Sequence, residues 1–283
     1  MSGVVQSGRL AALIGSPVRH SLSPAIHRAA FAAAGVDWSY VAFDVAPGRA
    51  AEALAAMRVL GIAGLSVTMP HKADVAAAVD RLEPAARALG SVNTVSWDGD
   101  RLVGSSTDGD GFLAALAEAG VEVTGARVAV IGAGGAARSV IDALARAGAP
   151  DITVLNRTAE RAARAAALTP AASVGIASDV ERADIVVNAT SVGMGVVVGG
   201  AGPEDLPCDP ALVHAGQVVV DLVYHPLETV WLRAARRRGA TGMDGLGMLV
   251  HQAALQQQRW LGVAPDTRAM RAAAEAHLAA DPH

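Results

Sequence analysis

The chain of 283 residues contains a single lysine: of its 23 basic side chains, all but Lys72 are arginine. An Arg- and Ala-rich nucleotide bias explains the missing lysines and leaves the retained one unexplained. Arginine does not release its proton in a protein, whereas a lysine amine can be tuned to do so, which makes position 72 a candidate for proton transfer or Schiff-base chemistry. Lys72 follows Ser66-Val67-Thr68-Met69-Pro70-His71, where a strand pattern runs straight into proline. Upstream, Ser21-Leu22-Ser23-Pro24 sets two hydroxyls two residues apart ahead of a helix. That spacing suits a carboxylate, although one N-cap and one turn serine would read the same way. Ser105-Ser106-Thr107-Asp108-Gly109 presents an acid before a glycine, with a helix N-cap as the plain alternative.

A second constellation lies further along. Val128 to Ile131 leads into Gly132-Ala133-Gly134-Gly135-Ala136-Ala137-Arg138, a strand entering a glycine turn that opens a helix. In a dinucleotide-binding turn of this kind Gly132 permits the bend, Gly134 lets backbone approach a pyrophosphate, and small Ala137 lets the helix pack on the strand. The next strand ends at Leu155. Asn156-Arg157-Thr158, with Arg161 one turn on, then stands where an acid would hold the ribose 2′-hydroxyl of NAD. Guanidiniums and a threonine suit a 2′-phosphate instead, so the expected cofactor is NADP, the alternative being a solvated helix face. Asn188-Ala189-Thr190-Ser191 closes a later strand at the end where such sheets bind ligands, which brings Thr190 toward the nicotinamide.

The elements that must position these groups alternate between short β-rich runs and Ala-rich helical stretches, the pattern of an α/β protein with mainly parallel sheets. In the first half the spacing predicts strands at 10–14, 38–44, 64–68, 92–97 and 101–103. Helices are predicted at 25–34, with Ser23 as N-cap, at 47–60 and at 73–89. Asp98-Gly99-Asp100 reads as a hairpin turn, and 104–110 as an irregular polar loop. The second series predicts strands at 127–131, 151–155, 184–188 and 217–221, helices at 135–147 and 158–167, and a long loop from Ser191 to Pro210. Two final helical stretches cover 246–260 and 267–280.

Composition narrows the function. A net charge of −4 lacks the basic footprint that nucleic acid demands. No apolar run approaches the roughly 18 to 20 residues of a membrane span. A lone Cys208 forms no internal disulfide, and with no signal-peptide pattern the expected compartment is the cytoplasm. The eight histidines show no ligand spacing, so no metal is expected.

Gly15-Ser16-Pro17 with Ser21 to Pro24, Ser66 to Lys72, Asn93-Thr94, Thr107 to Gly109, Gly132 to Ala136, Asn156 to Thr158, and Asp244 to Gln252 fall together in one order and spacing. In these segments the sequence resembles the NADP-dependent shikimate dehydrogenases, which reduce 3-dehydroshikimate. The likeness runs almost end to end. It implies two domains: a substrate domain from 1–108 and 244–283, and a Rossmann-like NADP domain, 109–243, inserted between them. It implies Lys72 and Asp108 as the acid/base pair, Ser21 and Ser23 on the substrate carboxylate, and Ser66, Thr68, Asn93, Tyr224 and Gln252 around the ring. Gly132, Ala133, Gly134, Gly135, Ala136, Asn156, Arg157, Thr158, Arg161, Thr190, Leu222 and Gly245 are implied as cofactor contacts. The expected partner is the small-molecule substrate, with a homodimer left open.

Two positions depart from the family pattern. Position 66 is often asparagine and is serine here, and the usual asparagine before Thr-Asp is Ser106. Both changes shorten polar side chains, and Ser66 is expected to leave room for a water or a bulkier ring, so a quinate or aminoshikimate dehydrogenase is the alternative. A non-catalytic NADP-binding sensor is the remote one, and the presence of both Lys72 and Asp108 speaks against it.

Overall fold

The computed structural model describes residues 8–196, 202 and 205–280. The chain divides into two compact units, one formed by residues up to Thr107 with those from Ala253 onward, the other by Asp108–Gln252.

The first unit opens with β1 (Arg9–Gly15), α1 (Ser23–Ala33), β2 (Trp38–Asp44), α2 (Ala50–Leu60) and β3 (Gly64–Val67). It continues with α3 (Lys72–Ala78), β4 (Arg81–Leu82), α4 (Pro84–Leu89), β5 (Thr94–Asp98) and β6 (Arg101–Ser105). The sheet order is β2-β1-β3-β5-β6-β4, with β1 parallel to both its neighbours and β5 antiparallel to both of its own. Asp98 pairs with Arg101 around Gly99-Asp100, so the expected hairpin is present with a two-residue loop.

Several expectations need correction. Ser23 is the first helical residue of α1 rather than its cap; Leu22 holds the cap position and offers no side-chain bond. Helix α2 starts at Ala50, after Gly48 turns the chain at φ +83°. The stretch 73–89 is not one helix. The Asp80 carboxylate takes the Leu102 N–H at 2.6 Å and its own N–H reaches the Leu102 carbonyl, so the chain there joins the sheet as β4 before Pro84 restarts a helix. Finally, 104–110 is not a loop. Gly104 and Ser105 pair with Val95 and Thr94, and a helix begins at Asp108, whose negative charge suits a helix N-terminus.

The second unit starts with that helix, α5 (Asp108–Glu118), followed by β7 (Arg127–Ile131), α6 (Gly135–Arg146), β8 (Asp151–Leu155), α7 (Ala159–Ala166) and β9 (Ala172–Val174). After a 3-10 turn at Ala177–Arg182 come β10 (Ile185–Asn188), β11 (Val218–Asp221), α8 (Val230–Arg237) and β12 (Thr241–Met243). All strands are parallel in the order β12-β11-β10-β7-β8-β9. That is the doubly wound order, whose switch point lies between β7 and β10. The central strands β7, β10 and β11 are buried, mainly apolar runs, as expected of a parallel sheet covered on both faces. The expected loop from Ser191 to Pro210 lies partly outside the described residues, and Pro210 itself opens a short 3-10 turn.

Helix α5 crosses α6 at close range. A Cβ at Gly109 would stand 2.4 Å from the Ser139 carbonyl oxygen, and one at Gly111 would stand 2.6 Å from the Gln252 nitrogen. The two glycines are therefore contact surfaces rather than loop residues.

Helix α9 (Leu246–Leu261) carries the boundary between Gln252 and Ala253, and α10 (Thr267–Ala280) packs on α1. Within the first unit the Trp260 indole lies flat on Gly64, where a Cβ would approach it to 2.4 Å, and its N–H donates to the Val95 carbonyl at 3.1 Å.

Candidate active site

The glycine turn of the second unit has the form the sequence predicts. Gly132 adopts φ +120°, a conformation side chains avoid, and its N–H bonds the Leu155 carbonyl at 2.7 Å. Gly134 is extended at the helix cap and Gly135 opens α6, and neither would crowd a Cβ: the turn faces open space. Ala137 is fully buried against the strand. Beside the turn lies a cavity of about 540 Å³ lined by Ala133, Gly134, Gly135, Arg138, Arg161 and Arg164. Backbone N–H groups at a helix start and three guanidiniums around one cavity are the kind of donors a phosphate accepts from. The residues present therefore fit a phosphorylated dinucleotide. Arg138 and Arg164 join the expected Arg161 there, whereas the expected Arg157 is not among the residues that line this cavity. Their signal was in the sequence: Arg164 is three residues after Arg161 on one face of α7, and Arg138 is one turn into α6.

Past the ends of β10 and β11 a buried polar cluster fixes the chain. Asn188 donates to Asp221 at 2.8 Å, and its side-chain oxygen accepts from both the N–H and the hydroxyl of Thr190. Burial pushes the Asp221 carboxyl up from its usual range, against hydrogen bonds from Thr229, the Val223 N–H and Asn188 that favour the anion. Leu222 is held by its N–H on the Asn188 carbonyl, and Gly245 rests so close to the Leu222 carbonyl that a Cβ would come within 2.2 Å. Thr190, Leu222 and Gly245 thus follow from one local arrangement. Tyr224, next but one in the chain after Leu222, is half-buried, and burial raises its phenol.

In the first unit, Ser21 and Ser23 stand at the start of α1, where the Ser21 hydroxyl accepts the Ser23 N–H at 3.3 Å. Thr68 ends the strand run and its carbonyl accepts from the His71 N–H, so the turn through Pro70 delivers Lys72 as the first residue of α3. Asn93 is buried before β5, and its side chain is bonded to Thr94 and Thr107. Asp108 opens α5 in the second unit, and Gln252 donates to the Leu249 carbonyl of its own helix.

Ser66 does not leave the expected empty space. It is 3% exposed, accepts the Tyr40 phenol proton at 2.7 Å and donates to the Gln256 side-chain oxygen at 2.7 Å. Its hydroxyl is engaged on both sides, by Tyr40 and by Gln256. Neither Tyr40 nor Gln256 was legible as a site residue, although Gln256 lies one helical turn after Gln252.

A doubly wound nucleotide unit with a guanidinium-lined phosphate cavity, together with a second α/β unit bearing a hydroxyl cluster and the one lysine, defines an NADP-dependent oxidoreductase. Residues 13–95 match the shikimate dehydrogenase substrate binding domain, residues 115–201 shikimate / quinate 5-dehydrogenase, and residues 245–275 the shikimate 5′-dehydrogenase C-terminal domain. The chain belongs to the shikimate dehydrogenase family. It is 46% identical to shikimate dehydrogenase (NADP(+)) of Moorella thermoacetica over 93% of this chain and 91% of that protein. It is 43% identical to the Symbiobacterium thermophilum protein of the same name, over 97% and 96%. Its fold is similar to that of shikimate 5-dehydrogenase from Thermus thermophilus in complex with NADP(H) and shikimate, with a TM-score of 0.87 at 36% identity, covering 95% of this chain and 99% of that one. Among the described residues no helix is long and apolar enough to cross a membrane.

Proposed function

We infer that the protein interconverts 3-dehydroshikimate and shikimate with NADP(H), a step toward chorismate and the aromatic amino acids. The observation that carries this reading is the arginine-lined cavity beside the glycine turn, set in a chain whose Ser21, Ser23, Lys72 and Asp108 stand in the family's order. NADP(H), when bound, supplies or takes the hydride. The ring acid is held by Ser21 and Ser23, which donate to its carboxylate, and by Thr68, Asn93, Gln252 and Tyr224, which serve its hydroxyls. Lys72 gives a proton to the ring oxygen as the ketone becomes an alcohol, and Asp108 orients the amine and the neighbouring hydroxyl. Holding the acid in one orientation lowers the barrier, because the entropy is already lost on binding. In the second unit Gly132 to Ala136 and Arg138 serve the pyrophosphate, Asn156, Arg157, Thr158, Arg161 and Arg164 the 2′-phosphate, and Thr190, Leu222 and Gly245 the nicotinamide.

The test is a spectrophotometric panel of shikimate, quinate and an amino-substituted shikimate with NADP and with NAD. Shikimate with NADP is expected to give the highest kcat/KM; quinate oxidised at a comparable rate overturns the substrate assignment. A cytoplasmic homodimer belongs to the same reading, and light scattering tests the assembly.

A further inference from the structure

We propose that Asp221 decides which oxidation state of the cofactor the protein holds more tightly, its buried carboxylate favouring the cationic nicotinamide of NADP+ over the neutral ring of NADPH. The proposal rests on the reading that Thr190, Leu222 and Gly245 meet the nicotinamide.

Asp221 is the last residue of β11, is fully buried, and takes no part in the roles above. One of its carboxylate oxygens accepts the Asn188 side-chain amide at 2.8 Å and the Val223 N–H at 3.1 Å, and the other accepts the Thr229 hydroxyl at 2.7 Å. The Thr229 oxygen itself accepts the Leu232 N–H at 3.1 Å, which leaves its own proton for Asp221. Two N–H groups and a hydroxyl thus converge on one carboxylate, and all three favour the anion. Among the described residues no arginine, lysine or histidine forms an ion pair with it. Its support comes from neutral dipoles, the start of α8 among them, so the full negative charge remains in the field around it.

That charge stands where a parallel sheet binds its ligand, at the carboxyl ends of the strands. Asp221 is paired in register with Asn188, whose side-chain oxygen holds Thr190; Leu222 follows it directly, and the Gly245 N–H donates to the Val223 carbonyl at 3.0 Å. Asp244 follows Met243, the partner of Val220 in the sheet, and adds negative charge to this end rather than cancelling it. A charge screened only by dipoles acts over several ångström in a low-dielectric interior. NADP+ and NADPH differ here by one positive charge on the ring. A residue that merely shapes the site changes both affinities together, whereas a fixed charge changes their ratio. Asp221 therefore biases the bound equilibrium toward reduction of the ketone, whose other product is NADP+.

The test is Asp221→Asn, which keeps the shape of the side chain and removes its charge. Dissociation constants are measured by calorimetry for NADP+, for NADPH and for adenosine 2′,5′-bisphosphate, which carries the 2′-phosphate and no nicotinamide. The ratio of the NADP+ constant to the NADPH constant is expected to rise about fivefold, with the bisphosphate held within about twofold. A ratio that stays the same or falls overturns the proposal, and equal weakening of both cofactors leaves Asp221 a purely structural part. Thr190→Phe tests the reading beneath: it should weaken NADP+ and NADPH and spare the bisphosphate. If Thr190→Phe binds both cofactors as before, the nicotinamide lies elsewhere and that reading fails. If it weakens both while Asp221→Asn leaves their ratio unchanged, only the role of Asp221 fails. Should Asp221→Asn not fold, Asp221→Ser, neutral and smaller, is measured in the same way; the same rise supports the proposal and an unchanged ratio overturns it.

Discussion

Asn93 and Thr107 are bound to each other through both backbone and side chain: the Thr107 N–H donates to the Asn93 side-chain oxygen at 2.9 Å, and the Asn93 amide donates to the Thr107 hydroxyl at 2.9 Å. Thr107 is the residue before Asp108, so an amide before β5 fixes the chain leading into the helix that carries the proposed acid/base partner. Asn93→Ala leaves a buried N–H and the Thr94 hydroxyl without their acceptor. It is expected to cost about 2 to 3 kcal/mol, read from urea unfolding, and to lower kcat together with stability. A variant of unchanged stability and activity would show that the pairing constrains nothing.

Lys72→Ala is expected to lower kcat by roughly 10² to 10⁴-fold with a smaller change in KM, the range for losing a positioned acid or base. Lys72→Arg keeps the charge but has no proton to give, and should fail nearly as badly. Full activity in the arginine variant would leave Lys72 with a purely electrostatic part.

Cofactor choice should rest on several arginines rather than one. The protein is expected to prefer NADP over NAD by at least about tenfold in kcat/KM, a difference of about 1.4 kcal/mol. Arg161 and Arg164 face the same cavity, so Arg161→Ala and Arg164→Ala should each erode the preference roughly three- to tenfold through the KM for NADP. Losses confined to Arg161 would place Arg164 in solvent.

His27 predicts how stability follows pH. Its imidazole, held near 3 by burial, stays neutral in the folded protein, while the unfolded chain takes up a proton below its ordinary value of 6.5. The unfolded state therefore binds more protons between those values, and stability is retained above about 6.5 and lost as pH falls toward 3. From pH 7.5 to 5.5 this group alone should remove roughly 1.4 kcal/mol. His27→Gln can keep both side-chain bonds without titrating. Its unfolding free energy should fall less over that interval than the unaltered protein's, and parallel pH curves for the two would contradict the buried neutral assignment.

The central strands of both sheets were readable because they are apolar runs bounded by glycine or charge; β1, β7 and β8 lie within a residue of expectation at each end. Helix α5 was lost because Asp108-Gly109-Asp110-Gly111 has loop composition. Its glycines answer to Ser139 and Gln252, far away in sequence. Strands β9 and β12 are three residues each, too short to show a period, and α8 is capped by Thr229, whose hydroxyl accepts the Leu232 N–H. The chemistry-bearing types, Lys72, Asp108 and the glycine turn, announced themselves locally. The role of Ser66 did not, since its two hydrogen-bond partners are 26 and 190 residues away.

The order of the chain also sets a schedule for its synthesis. Six strands of the first unit leave the ribosome before Asp108, but Gln256, Trp260 and α10 follow only after the whole second unit has been made. At about 5 to 20 residues per second, that interval lasts roughly 7 to 30 s. Through it, Tyr40 and Ser66 lack Gln256, and Gly64 lies bare of its indole, while by its end the second unit, continuous in sequence, has every strand it needs. The segments that complete the first unit, Gln256, Trp260 and α10, are thus the last to be made, after every strand of both sheets.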